Sequence, residues 1–131
     1  MKKTFYPVVF HKEDDGGYSV SVPDIPGCNS QGDSLSEAYE MAFDAIGLCI
    51  SDMVDSKGKI PVPSAPDEIK LDSGDTLVLV EFDFDRYCQK YNVKSVKKTL
   101  TIPAWLNTMA ENSNINFSSV LQDALKNALH L

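Results

Sequence analysis

Residues 18–46, YSVSVPDIPGCNSQGDSLSEAYEMAFDAI, contain a strand, a tight turn and a helix start in close succession, and their reading decides the fold. In YSVSV the apolar and polar side chains alternate, the period of a strand with one buried face. PDIPG supplies two prolines and a glycine for a tight turn, and Cys28–Gln31 after it reads as a further short strand. Ser34 and Glu37 stand in the S-x-x-E relation of a capping box, in which each side chain reaches the other's free backbone amide. Leu35, Ala38, Ala42, Ala45, Ile46 and Cys49 recur at helical spacing, which gives the helix a face to lay on a sheet.

Upstream, FYPVVF (Phe5–Phe10) is rich in strand formers and HKEDDGG supplies turn residues, so Phe5–Val22 predicts a hairpin. Downstream, IPVPSAPDEIK has no helical period and reads as an ordered connection over the surface. TLVLVEF (Thr76–Phe82) is almost continuously apolar, the mark of a strand inside the sheet and covered on both faces. Asp83 is a natural N-cap for a short helix to Tyr91, with Phe84, Tyr87 and Cys88 on one side. The expected fold class is α+β, with a β-β-β-α-β(-α) domain over residues 1–92.

Composition narrows the function. A chain of 131 residues with 43% hydrophobic content and no apolar run of about 18 residues holds one domain, or a domain plus an appendage too short for its own core. MKKTFYPVVF is broken by Pro7 and followed by charges, so no leader is expected and the cytoplasm is the expected compartment. Cys28, Cys49 and Cys88 form no C-x-x-C pair, and His11 and His130 have no sequence-local partner, so neither a disulfide framework, a metal site nor a cofactor is expected. Residues 1–92 hold 8 Lys+Arg against 17 Asp+Glu, a balance of −9, whereas residues 93–131 hold 4 against 2, a balance of +2. An acidic body repels nucleic acid and suits a basic protein partner, while the tail keeps the sign that phosphate attracts.

The string GGYSVSVPDIPGCNSQGDSLSEAYEMAFDAI resembles the N-terminal half of HicB antitoxins. The family's strand-and-turn pattern, its G-D-[ST] step and its E-A-rich helix fall on Tyr18, Val20, Pro23, Asp24, Pro26, Gly27, Gly32, Asp33, Ser34, Glu37 and Ala38. The resemblance implies a truncated ribonuclease H-like fold that holds a HicA-type toxin, a small basic ribonuclease. Catalysis is not expected of this chain. Its acids fall in turns (Asp14, Asp15, Asp24), helix starts (Asp33, Glu37) or exposed helix positions (Glu40, Asp44), whereas a two-metal nuclease needs carboxylates converging from strand interiors. The −9 balance makes Asp24, Glu37 and Glu40 candidate toxin contacts.

In VKKTLTIPAW (Val96–Trp105) a strand would send Leu100 and Ile102 to one face, with Lys98 at its frayed end, and Lys97, Thr99 and Thr101 to the other. Pro103 suits the first turn of a helix, AWLNTMAEN, and Asn116 the N-cap of a second, FSSVLQDALKNAL. Strand, helix, helix in under 40 residues (93–131) cannot bury a core alone, so a twofold partner is expected. The dimer core would include Leu100, Ile102, Trp105, Leu121 and Leu125. The segment resembles the ribbon-helix-helix family, which implies that Lys97, Thr99 and Thr101 face the major groove and that Asn116, Phe117 and Ser118 clasp a phosphate of operator DNA. Two threonines on that face leave base-edge discrimination weak. The combined expectation is a homodimeric antitoxin that neutralises its toxin and represses its operon, in dimers or in a higher assembly with toxin. The alternatives are a stand-alone regulator whose N-terminal domain senses a ligand, and a divalent-metal nuclease working through Asp24 and Asp33.

Overall fold

The computed structural model describes residues 3–131; Met1 and Lys2, at the head of the stretch read as no leader, lie outside them. The chain divides into two compact units, Met1–Lys94 and Ser95–Leu131.

In the first unit, strands β1 (Thr4–Lys12), β2 (Tyr18–Ser21), β3 (Asn29–Gly32) and β4 (Asp75–Phe82) form one antiparallel sheet in the order β3-β2-β1-β4. Helix α1 (Leu35–Asp55) covers one face of it. Alternation on β1 sends Tyr6, Val8 and Phe10 into the core, where they meet Val20, Val80 and Phe82 from the other strands and Ala38, Ala42, Phe43, Ile46 and Ile50 from α1. Each such large apolar side chain contributes about 1.5–3 kcal/mol when withdrawn from water. The small residues Ala38 and Ala42 let the helix lie close, and at Gly32 a Cβ would stand 2.4 Å from the Ala38 nitrogen. Helix α2 (Phe84–Tyr91) is started by Asp83, whose carboxylate accepts from the amides of Asp85 and Arg86 at 3.0 and 3.3 Å. Tyr87 of α2 lies over Gly47 of α1, where a Cβ would fall 2.1 Å from its ring.

Several expectations are corrected. Strand β4 is the edge of the sheet, not its interior, because β1 pairs with β2 on one side and β4 on the other. Only Val80 and Phe82 of β4 are fully buried. The third strand starts at Asn29, since Cys28 closes the turn with its carbonyl accepting from the Val22 amide. The capping box is one-sided: the Glu37 amide donates to Ser34 Oγ at 3.2 Å, and the described hydrogen bonds contain no return from the Glu37 carboxylate. Leu35 is exposed, because a side chain at the first helical position leans back past the helix start; Phe43, Gly47 and Ile50 join the buried face instead.

Proline in the middle of β1 has a clear reason. The Glu81 amide donates to the Tyr39 hydroxyl at 3.1 Å, so it points away from β1, and the Phe5–Glu81 pair lies at a non-hydrogen-bonded step of the ladder. Pro7, two residues on and opposite Leu79, falls at another such step. Its nitrogen faces the β2 side beyond the last β2 partner, Ser21 opposite Val9, where no ladder bond is missed.

The connection between α1 and β4 contains a single 3-10 turn at Pro66–Glu68 and is tied to the sheet. Tyr6 donates its hydroxyl to the Pro61 carbonyl at 2.6 Å, and Ser64 donates its amide to Asp24 at 2.8 Å and its hydroxyl to the other Asp24 oxygen.

In the second unit, α3 (Ala104–Asn112) and α4 (Phe117–Ala128) match the predicted helices, and Asn116 caps α4 by accepting from the Ser119 amide at 3.1 Å. Pro103 is the N-cap of α3, one position before the first turn. Residues 92–103 form no strand in the single chain. A ribbon strand has no ladder until a second strand lies beside it.

Candidate interaction surfaces

The second unit contains no buried residue when the chain is alone. Of the expected dimer core, Leu100, Ile102, Trp105 and Leu125 are exposed and Leu121 is half-buried. Lys98, Leu100 and Ile102 line one open hollow of about 720 Å³ together with Leu106, Ile115, Phe117 and Leu121. Lys97, Thr99 and Thr101 are absent from that lining and exposed. The two-residue alternation read from the sequence thus holds even without a ladder: oily side chains on the helix side, lysine and threonines away from it. At the start of α4 the Asn116 cap engages Ser119, while the Phe117 and Ser118 amides, among the described residues, have no protein acceptor. Free first-turn amides on a 12-residue helix form a positive pole.

The three candidate carboxylates of the first unit differ in circumstance. Asp24 has both oxygens engaged by Ser64, which fixes the turn after β2. Glu37 and Glu40 are exposed on the first two turns of α1, with Glu40 3.7 Å from Lys90 Nζ. Lys90 also meets Asp44 at 3.0 Å, a bond that raises its pKa.

The sheet's uncovered face was not foreseen as a surface. Phe5, Pro7, Val9, Leu77 and Leu79 point to it from β1 and β4; Phe5 is 51% and Leu79 45% exposed, Val9 and Leu77 are half-buried, and Pro7 between them is buried. Alternation along Phe5–Phe10 was the signal available; the interior reading of β4 concealed it. At one end of this face His11 Nδ1 lies 2.7 Å from Asp75 Oδ1. The hydrogen bond that the protonated ring donates to the Asp75 carboxylate raises the histidine above its ordinary range, and the same bond lowers the aspartate. His11 has its partner 64 residues away, which no local spacing reveals. Cys28, Cys49 and Cys88 are free thiols; burial, with Cys49 beside it, pushes Cys28 up to about 12. Among the described residues no three His, Cys, Asp or Glu side chains gather as metal ligands, and no helix is long and apolar enough to cross a membrane.

The family model described as "HicB_like antitoxin of bacterial toxin-antitoxin system" matches residues 6–125, nearly the whole chain and both units. The chain belongs to the HicB-like antitoxin family. Antitoxin HicB 1 of Photorhabdus laumondii is 43% identical over 63 residues, which cover 48% of this chain and 41% of that protein. A 14.9 kDa protein of Haemophilus phage HP1, from its rep-hol intergenic region, is 37% identical over 101 residues, covering 77% of this chain and 74% of its own. The match to the Photorhabdus HicB thus spans less than half of that relative's length. Among solved structures, a toxin-antitoxin complex from Streptococcus pneumoniae contains a chain similar to this HicB-like chain with a TM-score of 0.61 at 28% identity, covering 97% of this chain and 99% of that one. A chain of the HicA3 and HicB3 toxin-antitoxin complex has a TM-score of 0.53 at 26% identity, covering 61% and 99%.

Proposed function

We propose that this HicB-like chain is an antitoxin that binds and neutralises a HicA-type ribonuclease toxin and, as a homodimer, represses its own operon. In this reading the first unit is a truncated ribonuclease H-like domain that works by binding, without catalysis. Its excess of carboxylates attracts a cationic toxin, with Glu37 and Glu40 facing it and Asp24 acting through the turn it fixes. The second unit is a ribbon-helix-helix domain. Two copies pair residues 97–102 as antiparallel strands, close Leu100, Ile102, Trp105, Leu121 and Leu125 into one core, and present both Lys97/Thr99/Thr101 faces to the major groove. The Phe117 and Ser118 amides, beside the Asn116 cap, take a phosphate at each end.

The observation that supports this most is the alternation of residues 97–102: Lys98, Leu100 and Ile102 line the apolar hollow, and their odd-numbered neighbours do not. A polar-out, apolar-in segment beside two amphipathic helices is what one half of a ribbon-helix-helix dimer would present. The test has two arms. The adjacent reading frame, when it encodes a short basic protein, is co-expressed with this chain, and the two should co-purify with ribonuclease activity suppressed; charge reversal of Glu37 and Glu40 should weaken the complex and flatten its salt dependence. For DNA, the dimer should bind its promoter with log K falling against log salt at about 0.9 per phosphate contact. Lys97→Ala and Thr99→Ala variants that dimerise yet bind the promoter with unchanged affinity would remove the ribbon from this role.

A further inference from the structure

Strand β4 presents a contradiction between its composition and its place. A near-continuous apolar run belongs to a strand covered on both faces, yet β4 is an edge strand with Leu77 and Leu79 on the uncovered face of the sheet. Natural edge strands are usually short, bulged or shielded. This one spans eight residues and pairs with β1 throughout its length.

Its outward backbone is also open. Since the Glu81 amide points away from β1, so do the amides and carbonyls of Leu79 and Leu77, two and four residues earlier. Tyr39 closes the edge at Glu81; among the described residues, no backbone or side-chain hydrogen bond outside the β1–β4 ladder reaches Leu77 or Leu79. The unpaired groups lie beside the apolar patch of Phe5, Val9, Leu77 and Leu79.

We propose that the toxin docks by adding an extended strand to the free edge of β4, pairing with the backbone of Leu77 and Leu79 and laying apolar side chains over Phe5 and Leu79. This rests on the antitoxin reading and names the surface that reading uses. Charge selects the occupant. If a second copy paired antiparallel on the same edge in the register that sets Leu77 opposite Leu79, Asp75 would fall opposite Glu81, twice by symmetry, and like charges directly opposite are destabilising. Asp75 has its pKa lowered by His11 and stays ionised down to acid pH. The same carboxylates attract a cationic strand, in keeping with the −9 balance of residues 1–92.

Leu79 allows a selective test, because its amide makes no ladder bond to β1. Leu79→Pro removes the outward donor and trims the side chain while leaving the ladder to β1 intact, whereas Leu79→Val trims the side chain but keeps the donor. Binding of each folded variant to the purified toxin is measured by titration calorimetry. Leu79→Pro should bind at least about tenfold more weakly than Leu79→Val, the range expected when a backbone partner is left unpaired in an interface. Equal affinities overturn the proposal. Should the proline variant not fold, amide exchange in the wild-type chain decides: the Leu77 and Leu79 amides should be unprotected alone and protected with toxin. Protection already present in the toxin-free protein would assign the edge to self-association, and exchange unchanged by bound toxin would move the docking surface elsewhere while leaving the antitoxin reading intact. A wild-type chain that binds no toxin would take both readings down.

Discussion

His11 and Asp75 join the two longest strands of the first unit through a pair whose stability depends on pH in a defined window. The histidine is raised in the folded chain, so its contribution is complete below its ordinary value of 6.5 and lost as pH rises through the folded value. The aspartate is lowered, so its contribution is present above 3.8 and lost as pH falls through its folded value. Thermal unfolding of the wild-type chain should therefore shift downward between about pH 6 and pH 8 by an increment that His11→Gln abolishes. Gly47 makes a different prediction. In an exposed helix Gly→Ala gains about 1 kcal/mol, but here the added methyl meets the Tyr87 ring, so Gly47→Ala should lower stability by about 1–3 kcal/mol in urea unfolding. Gly47→Ala combined with Tyr87→Ala should recover part of that loss. Neither feature was legible beforehand, because each partner is distant in sequence and fixed only by tertiary packing.

At the scale of elements, features with local causes were read directly. Ser34, Asp83 and Asn116 were assigned as N-caps from the residues around them, and each accepts a backbone hydrogen bond as expected. Ser34→Ala should cost α1 about 1 kcal/mol and Ser34→Gly only a few tenths, a contrast that urea unfolding can resolve. The place of β4 in the sheet was misread because a continuous apolar run reports that both faces avoid water, without saying whether the same chain covers them. Residues 97–102 pose the complementary case: their alternation is legible in the sequence, but the strand expected there is not formed in the single chain. The Glu37 and Glu40 candidates lie on the exposed side of α1, and Asp24 turned out to hold Ser64, a partner 40 residues away.

The whole molecule consists of one unit with a core and one without. The sole tryptophan, Trp105, belongs to the second and is 64% exposed in the single chain. Its fluorescence should shift to the blue as dimers form and to the red on dilution, while far-UV signal from the first unit persists. Leu125→Glu, which places a charge in the expected dimer core, should give a monomer by light scattering, with the first unit still folded and promoter binding lost. In the proposed reading the DNA-contacting face is completed only by a second copy, so promoter occupancy at low abundance should rise with the square of chain concentration. The bare apolar hollow of the second unit would thus make repression a steep function of how much antitoxin a cell contains, so that a modest fall in supply relieves the promoter well before every chain is gone.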